Sequence, residues 1–108
     1  MKMIIAGSRS INDFELVCEV MEHAVRALGS PTIVLSGMAK GVDTLGVEWA
    51  LKNGLNDSDI WKMPVTPQEW KRNPYDAGHK RNIDMGNLAD CATIIHDGIH
   101  MNKSGTVS

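Results

Sequence analysis

The sequence predicts an α/β domain with a Rossmann-like parallel sheet and helices on both faces. Two observations favour this class. Short apolar runs rich in β-branched residues alternate with segments of helical periodicity, in the order strand, helix, strand, helix, strand, loop, helix, strand. Turns rich in small residues follow the first two strands. With 108 residues, 43% of them hydrophobic and 22% charged, we expect residues 1–108 to form one domain with a single core.

The chain opens with a predicted strand and a predicted amphipathic helix. Residues 3–6 form a short apolar run that is typical of a buried strand. Asn12 is expected to cap the following helix, with Glu15 completing a capping box. Apolar residues then recur at spacings of three and four over residues 17–28, and Gly29 is expected to end the helix.

The middle of the chain predicts two further strands and the helix between them. Residues 32–36 (TIVLS) are β-branched and mostly apolar, which indicates a strand covered on both faces. A helix is expected over residues 42–53, with Gly54 at its C-terminal cap. Residues 59–63 (DIWKM) form the third predicted strand.

The last predicted elements follow a proline-rich segment. Residues 64–75 contain three prolines, and we expect no regular structure there. Asp76 is expected to open a helix that runs to about residue 88, and residues 91–96 (CATIIH) form the fourth strand.

Composition limits the classes of partner and compartment. The formal net charge of −2 argues against a nucleic-acid partner. One local stretch is nevertheless basic, and it is either a solvated face or a binding surface. Its basic residues are Lys71, Arg72, His79, Lys80 and Arg81. Cys18 and Cys91 provide no disulfide framework and are expected to be core thiols. No signal peptide and no membrane span are expected, so the sequence predicts a cytoplasmic protein.

Three loops are expected to meet at one edge of the sheet. Parallel α/β sheets bind ligands beyond the carboxyl ends of their strands, at the point where the strand order reverses. Residues 7–10 (GSRS), residues 36–43 (SGMAKGVD) and the segment 97–108 all follow predicted strands. The sequence therefore predicts a binding site at this edge.

The loop at residues 36–43 matches neither standard phosphate-binding motif. A Walker loop needs a wider glycine spacing followed by Lys and Ser or Thr, and a dinucleotide fingerprint needs three glycines, whereas the first turn offers only Gly7. Gly37 and Gly41 would still let the backbone approach a ligand closely. Asp43 either caps the helix or accepts hydrogen bonds from a ribose, and a plain strand-to-helix turn remains the alternative.

A few other side chains are candidates for ligand contacts. Arg81 and Asn82 are suited to a phosphate or a base edge. Trp70 either stacks on a base or covers the core. His96 and His100 have no third ligand at metal-binding spacing, and no nucleophile, base and acid can be combined from spacing. We expect no catalytic set, no metal and no cofactor.

Taken together, the motifs resemble those of YspA-like members of the SLOG superfamily, over nearly the whole chain. The motifs that carry the resemblance come in the same order: GSR at 7–9, SGMAKGVD at 36–43, Trp70, AGHKRN at 77–82, and DG…SGT at 97–106. The resemblance implies a Rossmann-like domain that binds nucleotides or nucleotide-derived signals. The candidate ligand-binding residues are Gly7, Ser8, Arg9, Ser36, Gly37, Met38, Ala39, Lys40, Gly41, Asp43, Trp70, His79, Arg81, Asn82, Gly105 and Thr106.

One departure bears on catalysis. The LOG phosphoribohydrolases, which are relatives within the superfamily, carry a Gly-Gly-x-Gly-Thr-x-x-Glu loop whose glutamate serves N-glycosidic hydrolysis with an arginine. No glutamate follows Gly105-Thr106 here, although Arg81 matches the arginine. The resemblance therefore favours binding without catalysis, by a sensor or by a phage-encoded sponge for an immune signal such as a cyclic nucleotide or an ADP-ribose derivative. The alternatives are a hydrolase of an N-glycosidic or phosphoester bond, with Asp43 or Asp97 as acid or base, and an interaction module that binds no ligand.

An oligomer is expected from the helix count. A parallel sheet must be covered on both faces, and the sequence predicts only three helices. Family members continue from the Gly-Thr pair into a further helix, which this sequence does not contain. We therefore expect a homodimer or a homotetramer in which a second subunit covers the remaining apolar surface.

Overall fold

The computed structural model describes residues 1–96. Within them, helices and strands alternate in nearly the predicted order. The elements are β1 (Lys2–Gly7), α1 (Phe14–Leu28), β2 (Ile33–Ser36), α2 (Val42–Lys52), a short 3₁₀ turn (Asp57–Asp59), β3 (Ile60–Lys62), α3 (Pro67–Arg72), α4 (Ala77–Leu88) and β4 (Cys91–Ile95).

The four strands form one parallel sheet in the order β3-β2-β1-β4. The chain moves outward from β1 to β3 and then crosses back to place β4 on the other side of β1. Right-handed crossovers put α1 and α2 on one face of such a sheet and α4 on the other. This arrangement confirms the predicted Rossmann-like α/β class. The strand order reverses between β1 and β4, so the expected ligand edge lies beyond Gly7.

The main core lies between the sheet and the helices α1 and α2. Met3 and Ile5 of β1 are fully buried, together with Val17 and Met21 of α1. Gly46 lets α2 approach the sheet closely, since a Cβ atom there would lie 2.5 Å from Cγ2 of Ile5. This face provides most of the apolar burial that stabilises the domain.

Within residues 1–96, the opposite face of the sheet is only partly covered. Ile4, Trp61 and Ile94 are half-buried on this face, and Ala92 is exposed. We call these four residues the open face. Helix α4 covers the neighbouring part of the sheet with Ala77 and Met85, which are buried.

Helix α1 is capped by Asp13 rather than by the predicted Asn12. The Asp13 carboxylate accepts hydrogen bonds from the backbone N–H groups of Glu15 at 3.1 Å and Leu16 at 3.3 Å. The prediction was wrong by one residue because the helix begins at Phe14. Gly29 ends the helix as predicted, with φ at +96°.

The prediction of no regular structure over residues 64–75 was wrong, because α3 lies within that segment. Thr66 and Glu69 form a capping box, in which Glu69 N–H donates to Thr66 Oγ1 at 3.1 Å and Thr66 N–H donates to Glu69 Oε1 at 3.0 Å. Pro67 takes the first helical position, where its fixed φ favours a helix and its missing N–H costs nothing.

The two cysteines lie at the border of the core. Cys18 and Cys91 are free, half-buried and packed against the core. None of the helices within residues 1–96 has the length and apolar character needed to cross a membrane.

Candidate ligand-binding site

The loop after β1 is fixed to two neighbours at the carboxyl edge of the sheet. Ser8 N–H donates to the carbonyl of Ile95 at 3.0 Å, which ties the loop to β4. The Ser8 carbonyl accepts from Val42 N–H at 3.2 Å, which ties it to the start of α2. Two of the three loops predicted to meet at this edge are therefore in contact; the third begins at residue 97, outside the described residues.

The loop after β2 is built by a buried serine. Ser36 is fully buried, and its hydroxyl donates to the Asp43 carbonyl at 3.0 Å and accepts from Met38 N–H at 3.1 Å. Met38 takes a left-handed conformation with φ at +60°, which is uncommon for a non-glycine residue. Ser36, predicted as a ligand contact, thus holds the loop in shape from inside the protein.

The three predicted site glycines that lie within residues 1–96 each make room for other protein atoms. A Cβ atom on Gly7 would overlap the Ile95 carbonyl, and one on Gly37 would overlap the Arg81 guanidinium and lie 2.9 Å from Asp43 Oδ2. Gly41 has φ at +78°, and a Cβ atom there would overlap the Ser8 carbonyl. Close approach of the backbone to a ligand stays a prediction for these positions.

Asp43 is the buried carboxylate of the site. It is the second residue of α2, whose N-cap is Gly41, so of the two roles left open for Asp43 the structure excludes that of the N-cap. The residue is only 5% exposed, and Oδ2 accepts from Ala39 N–H at 3.3 Å. Burial raises the pKa of this carboxyl above its ordinary value, while the Ala39 N–H, Arg81, the Gly7 N–H and Arg9 oppose that rise.

Arg81 ties α4 to the ends of two strands. Its Nη1 donates to the Gly37 carbonyl at 2.9 Å and, more weakly, to the Met63 carbonyl at 3.4 Å. Its Nε donates to Oδ1 of Asn82 at 2.8 Å. Sequence reasoning did not find the role of Met63, because a backbone carbonyl gives no residue-type signal.

A hollow of about 300 Å³ lies beside the two loops, next to the N-terminal ends of α1 and α2. We call it the Arg9–Lys40 hollow, after the two cations that line it. Its polar lining residues are Arg9, Ser10, Asn12, Lys40 and Thr44. Ser10 lies in the loop 7–10 that was predicted at this edge, although it was not named as a ligand contact, whereas nothing in the spacing of Asn12 and Thr44 marked them.

The junction of α3 and α4, residues 66–80, forms a projecting corner. The Trp70 indole packs on Gly78, with Cη2 lying 3.3 Å from where a Cβ atom would be. Trp70 remains 40% exposed, and Tyr75 is 92% exposed. Gly78 lies one turn before Arg81 on α4, so the indole is adjacent to the helix face that carries Arg81. Trp70 is therefore too exposed to be a core residue and remains a candidate for base stacking.

The structure brings most of the predicted site together. The loop residues 7–9 and 36–41 meet Asp43 and Arg81 at the carboxyl edge, whereas His79 and Asn82 are exposed on α4. The predicted contacts Gly105 and Thr106 lie outside the described residues. Within residues 1–96, no group of His, Cys, Asp or Glu side chains is arranged to hold a metal ion.

These features define a Rossmann-like α/β domain with polar loops gathered at the carboxyl edge of its sheet. A model of the YspA, cpYpsA-related SLOG family matches residues 1–59. The chain belongs to this family. The match spans both edge loops and Asp43, and it ends before Trp70 and Arg81. No curated protein and no solved structure matches the chain.

Proposed function

We propose that this cytoplasmic protein binds a nucleotide-derived small molecule at the carboxyl edge of its sheet and does not transform it. Membership of the SLOG family suggests nucleotide-related ligand binding. The observation that carries the proposal is the buried carboxylate of Asp43, which lies at the end of the sheet close enough to two cationic side chains, Arg9 and Arg81, for both to affect its pKa.

A buried carboxylate in this position suits ribose. It has several lone pairs, and the backbone N–H groups of Ala39, at 3.3 Å, and Gly7 use only part of this capacity. Ribose hydroxyls are neutral donors, so they can supply the hydrogen bonds that the buried carboxylate no longer receives from water, and they add no charge. The nearby cations, including Arg9 and Lys40, then suit the phosphate of the same ligand.

Binding without turnover is supported by the surroundings of Asp43. Glycosidic hydrolysis commonly uses a pair of carboxyl groups, one as acid and one as nucleophile or base. The charged groups that shift the pKa of Asp43 are Arg81 and Arg9, both cations. Such a binder would serve as a sensor, or as a phage-encoded sponge that sequesters an immune signal.

A hydrolase is the second candidate, because burial raises the pKa of Asp43. A carboxyl group that holds its proton at a higher pH is better suited to protonate a leaving group. In this role Asp43 would act as the general acid on an N-glycosidic or phosphoester bond.

The test is to incubate the purified protein with AMP, a cyclic dinucleotide and ADP-ribose, remove free ligand by gel filtration, and release bound ligand by heat. Mass spectrometry of the released material then separates the candidates. Intact ligand from the native protein, lost in Asp43→Asn, supports binding. Converted ligand in the incubation mixture supports the hydrolase, and neither retention nor conversion of any ligand contradicts both.

We also propose a homodimer or homotetramer. The support is the open face, where apolar residues of the sheet stay half-buried or exposed within the described residues. A second copy of the chain is the simplest cover for such a surface.

A further inference from the structure

Of the ten lysine and arginine side chains within residues 1–96, five are held by other groups of the protein and five form no ion pair. Three are in exposed ion pairs with acidic residues, namely Arg26, Lys52 and Lys62. Lys2 lies over the Trp61 ring at 5.6 Å, and Arg81 is bonded to carbonyls. The remaining five form no ion pair within residues 1–96: Arg9, Lys40, Lys71, Arg72 and Lys80.

All five of these cations lie beyond the carboxyl ends of the strands. Arg9 and Lys40 follow β1 and β2 and line the Arg9–Lys40 hollow, beside the first turn of α2. Lys71, Arg72 and Lys80 follow β3 and lie on the corner. Arg72 and Lys80 both act on the Glu69 carboxylate, whose pKa is lowered first by its bonds to Thr66.

The two groups of cations lie over opposite faces of the sheet. The Arg9–Lys40 hollow is on the side of α1 and α2, and the corner leads into α4 on the other side. Between them are the strand ends with Gly37 and Asp43. The bond from Arg81 to the Gly37 carbonyl joins the corner directly to the loop after β2.

This order of charges restricts the ligand. A cationic group, a buried carboxylate and a second cationic group follow one another across the edge. Phosphate oxygens pair with the cations, and a ribose hydroxyl pairs with the carboxylate; in a ribose that carries phosphates at its 3′ and 5′ oxygens this donor is the 2′-hydroxyl. A nucleotide that carries all its phosphates on the 5′ side would use one cationic group and leave the other in solvent.

We propose that the ligand presents a ribose with a phosphate on each side, as in a 3′,5′-linked cyclic or linear oligonucleotide. The ribose lies at Asp43, one phosphate lies at the Arg9–Lys40 hollow, and the other lies at the corner. Trp70 offers an exposed ring on which a base can stack next to the corner. This inference rests on the proposed function and specifies its ligand.

Adenosine 3′,5′-bisphosphate and ADP provide a matched pair of probes. Both contain one adenosine and two phosphate groups, and they differ in where the second phosphate is attached. In calorimetric titrations we expect the 3′,5′-bisphosphate to bind about tenfold more tightly than ADP, since it alone reaches both cationic groups with charge-assisted hydrogen bonds. The corresponding guanosine pair is titrated in the same way.

Charge-removing substitutions locate the two phosphates. Lys40→Gln and Arg72→Gln should each lower affinity for the 3′,5′-bisphosphate by about tenfold. With AMP, only one of the two substitutions should lower affinity. Lys52→Gln and Lys62→Gln remove exposed cations that are paired elsewhere, and they should leave the affinity for every probe unchanged.

The outcomes separate this inference from the proposed function. If AMP binds in an Asp43-dependent way but ADP binds as tightly as the 3′,5′-bisphosphate, the nucleotide site stands and the two-sided ligand is wrong. An Arg72→Gln variant that binds the bisphosphate like the native protein also overturns the inference. If no probe of either base binds, the two-sided ligand is wrong, and if the cyclic dinucleotide and ADP-ribose are not retained either, the proposed function fails as well.

Discussion

At the scale of single residues, Gly7 is a position where the fold leaves no room for a side chain. A Cβ atom there would overlap the Ile95 carbonyl, which is backbone of a paired strand and cannot swing aside. We expect Gly7→Ala to lower the free energy of unfolding by about 3 kcal/mol, as in overpacked cores. Urea unfolding followed by circular dichroism measures the change.

Gly86 provides the matched control. It lies inside α4, and a methyl group added there would meet no atom within 4 Å apart from the backbone of its own helix. Gly86→Ala should raise the free energy of unfolding by about 0.5–1 kcal/mol, because alanine restricts the unfolded chain and favours the helix. Equal effects of the two substitutions would contradict the role given to Gly7.

Asp43 predicts a pH dependence of stability. Burial raises its pKa above the ordinary 3.8, so the folded protein holds this proton more tightly than the unfolded chain does. The protonated carboxyl makes its full contribution to the free energy of unfolding below the ordinary pKa, and this contribution is lost as the pH rises through the raised pKa. Asp43→Asn removes this loss, so its stability relative to the native protein should increase from acid to neutral pH. Thermal unfolding across that range measures the difference; a difference that shrinks on going to neutral pH contradicts the raised pKa.

At the scale of secondary-structure elements, Arg81 holds α4 against the sheet. Arg81→Ala removes hydrogen bonds to the Gly37 and Met63 carbonyls, and we expect a loss of about 2 kcal/mol in the free energy of unfolding. Arg26→Ala, which removes an exposed ion pair on α1, is the control and should change stability little. An unchanged stability in Arg81→Ala would mean that the guanidinium is free for a ligand.

Helix α3 depends on its capping box. Thr66→Ala removes the acceptor for Glu69 N–H and should cost about 1 kcal/mol. The effect should be local, because α3 contains no buried residue. Hydrogen exchange should therefore increase at residues 67–72 while the strands keep their protection; uniform loss of protection would contradict this.

The elements differ in how far the sequence predicts them. The periodicity of apolar residues was sufficient to predict α1, and short β-branched runs were sufficient to predict the four strands. Each of these elements buries the face on which its apolar residues lie, so the pattern is visible in the sequence. The capping box at Thr66 and Glu69 was also present in the sequence, yet three prolines nearby favoured a loop. The Arg81 contact with Gly37 joins residues 44 apart, and no local pattern contains such a pairing.

At the scale of the whole molecule, the open face predicts self-association. We expect light scattering at micromolar concentration to give at least twice the chain mass of 11.8 kDa. Ala92→Arg places a charge on the open face and should yield a monomer that keeps its circular dichroism spectrum. Leu51→Arg alters an exposed apolar residue of α2, away from this face, and should leave the mass unchanged. A native monomer contradicts the proposed oligomer.

The pairing of β1 with β4 sets the order in which the molecule becomes complete during translation. β1 is made first, yet one of its edges has no partner until Cys91–Ile95 has left the ribosome. Contacts between segments this distant in sequence form slowly, because a long loop must close first. Gly7 and Ser8 meet Ile95 at this junction, so the proposed ligand site is assembled last, and we expect a nascent chain that is still missing β4 to retain no ligand.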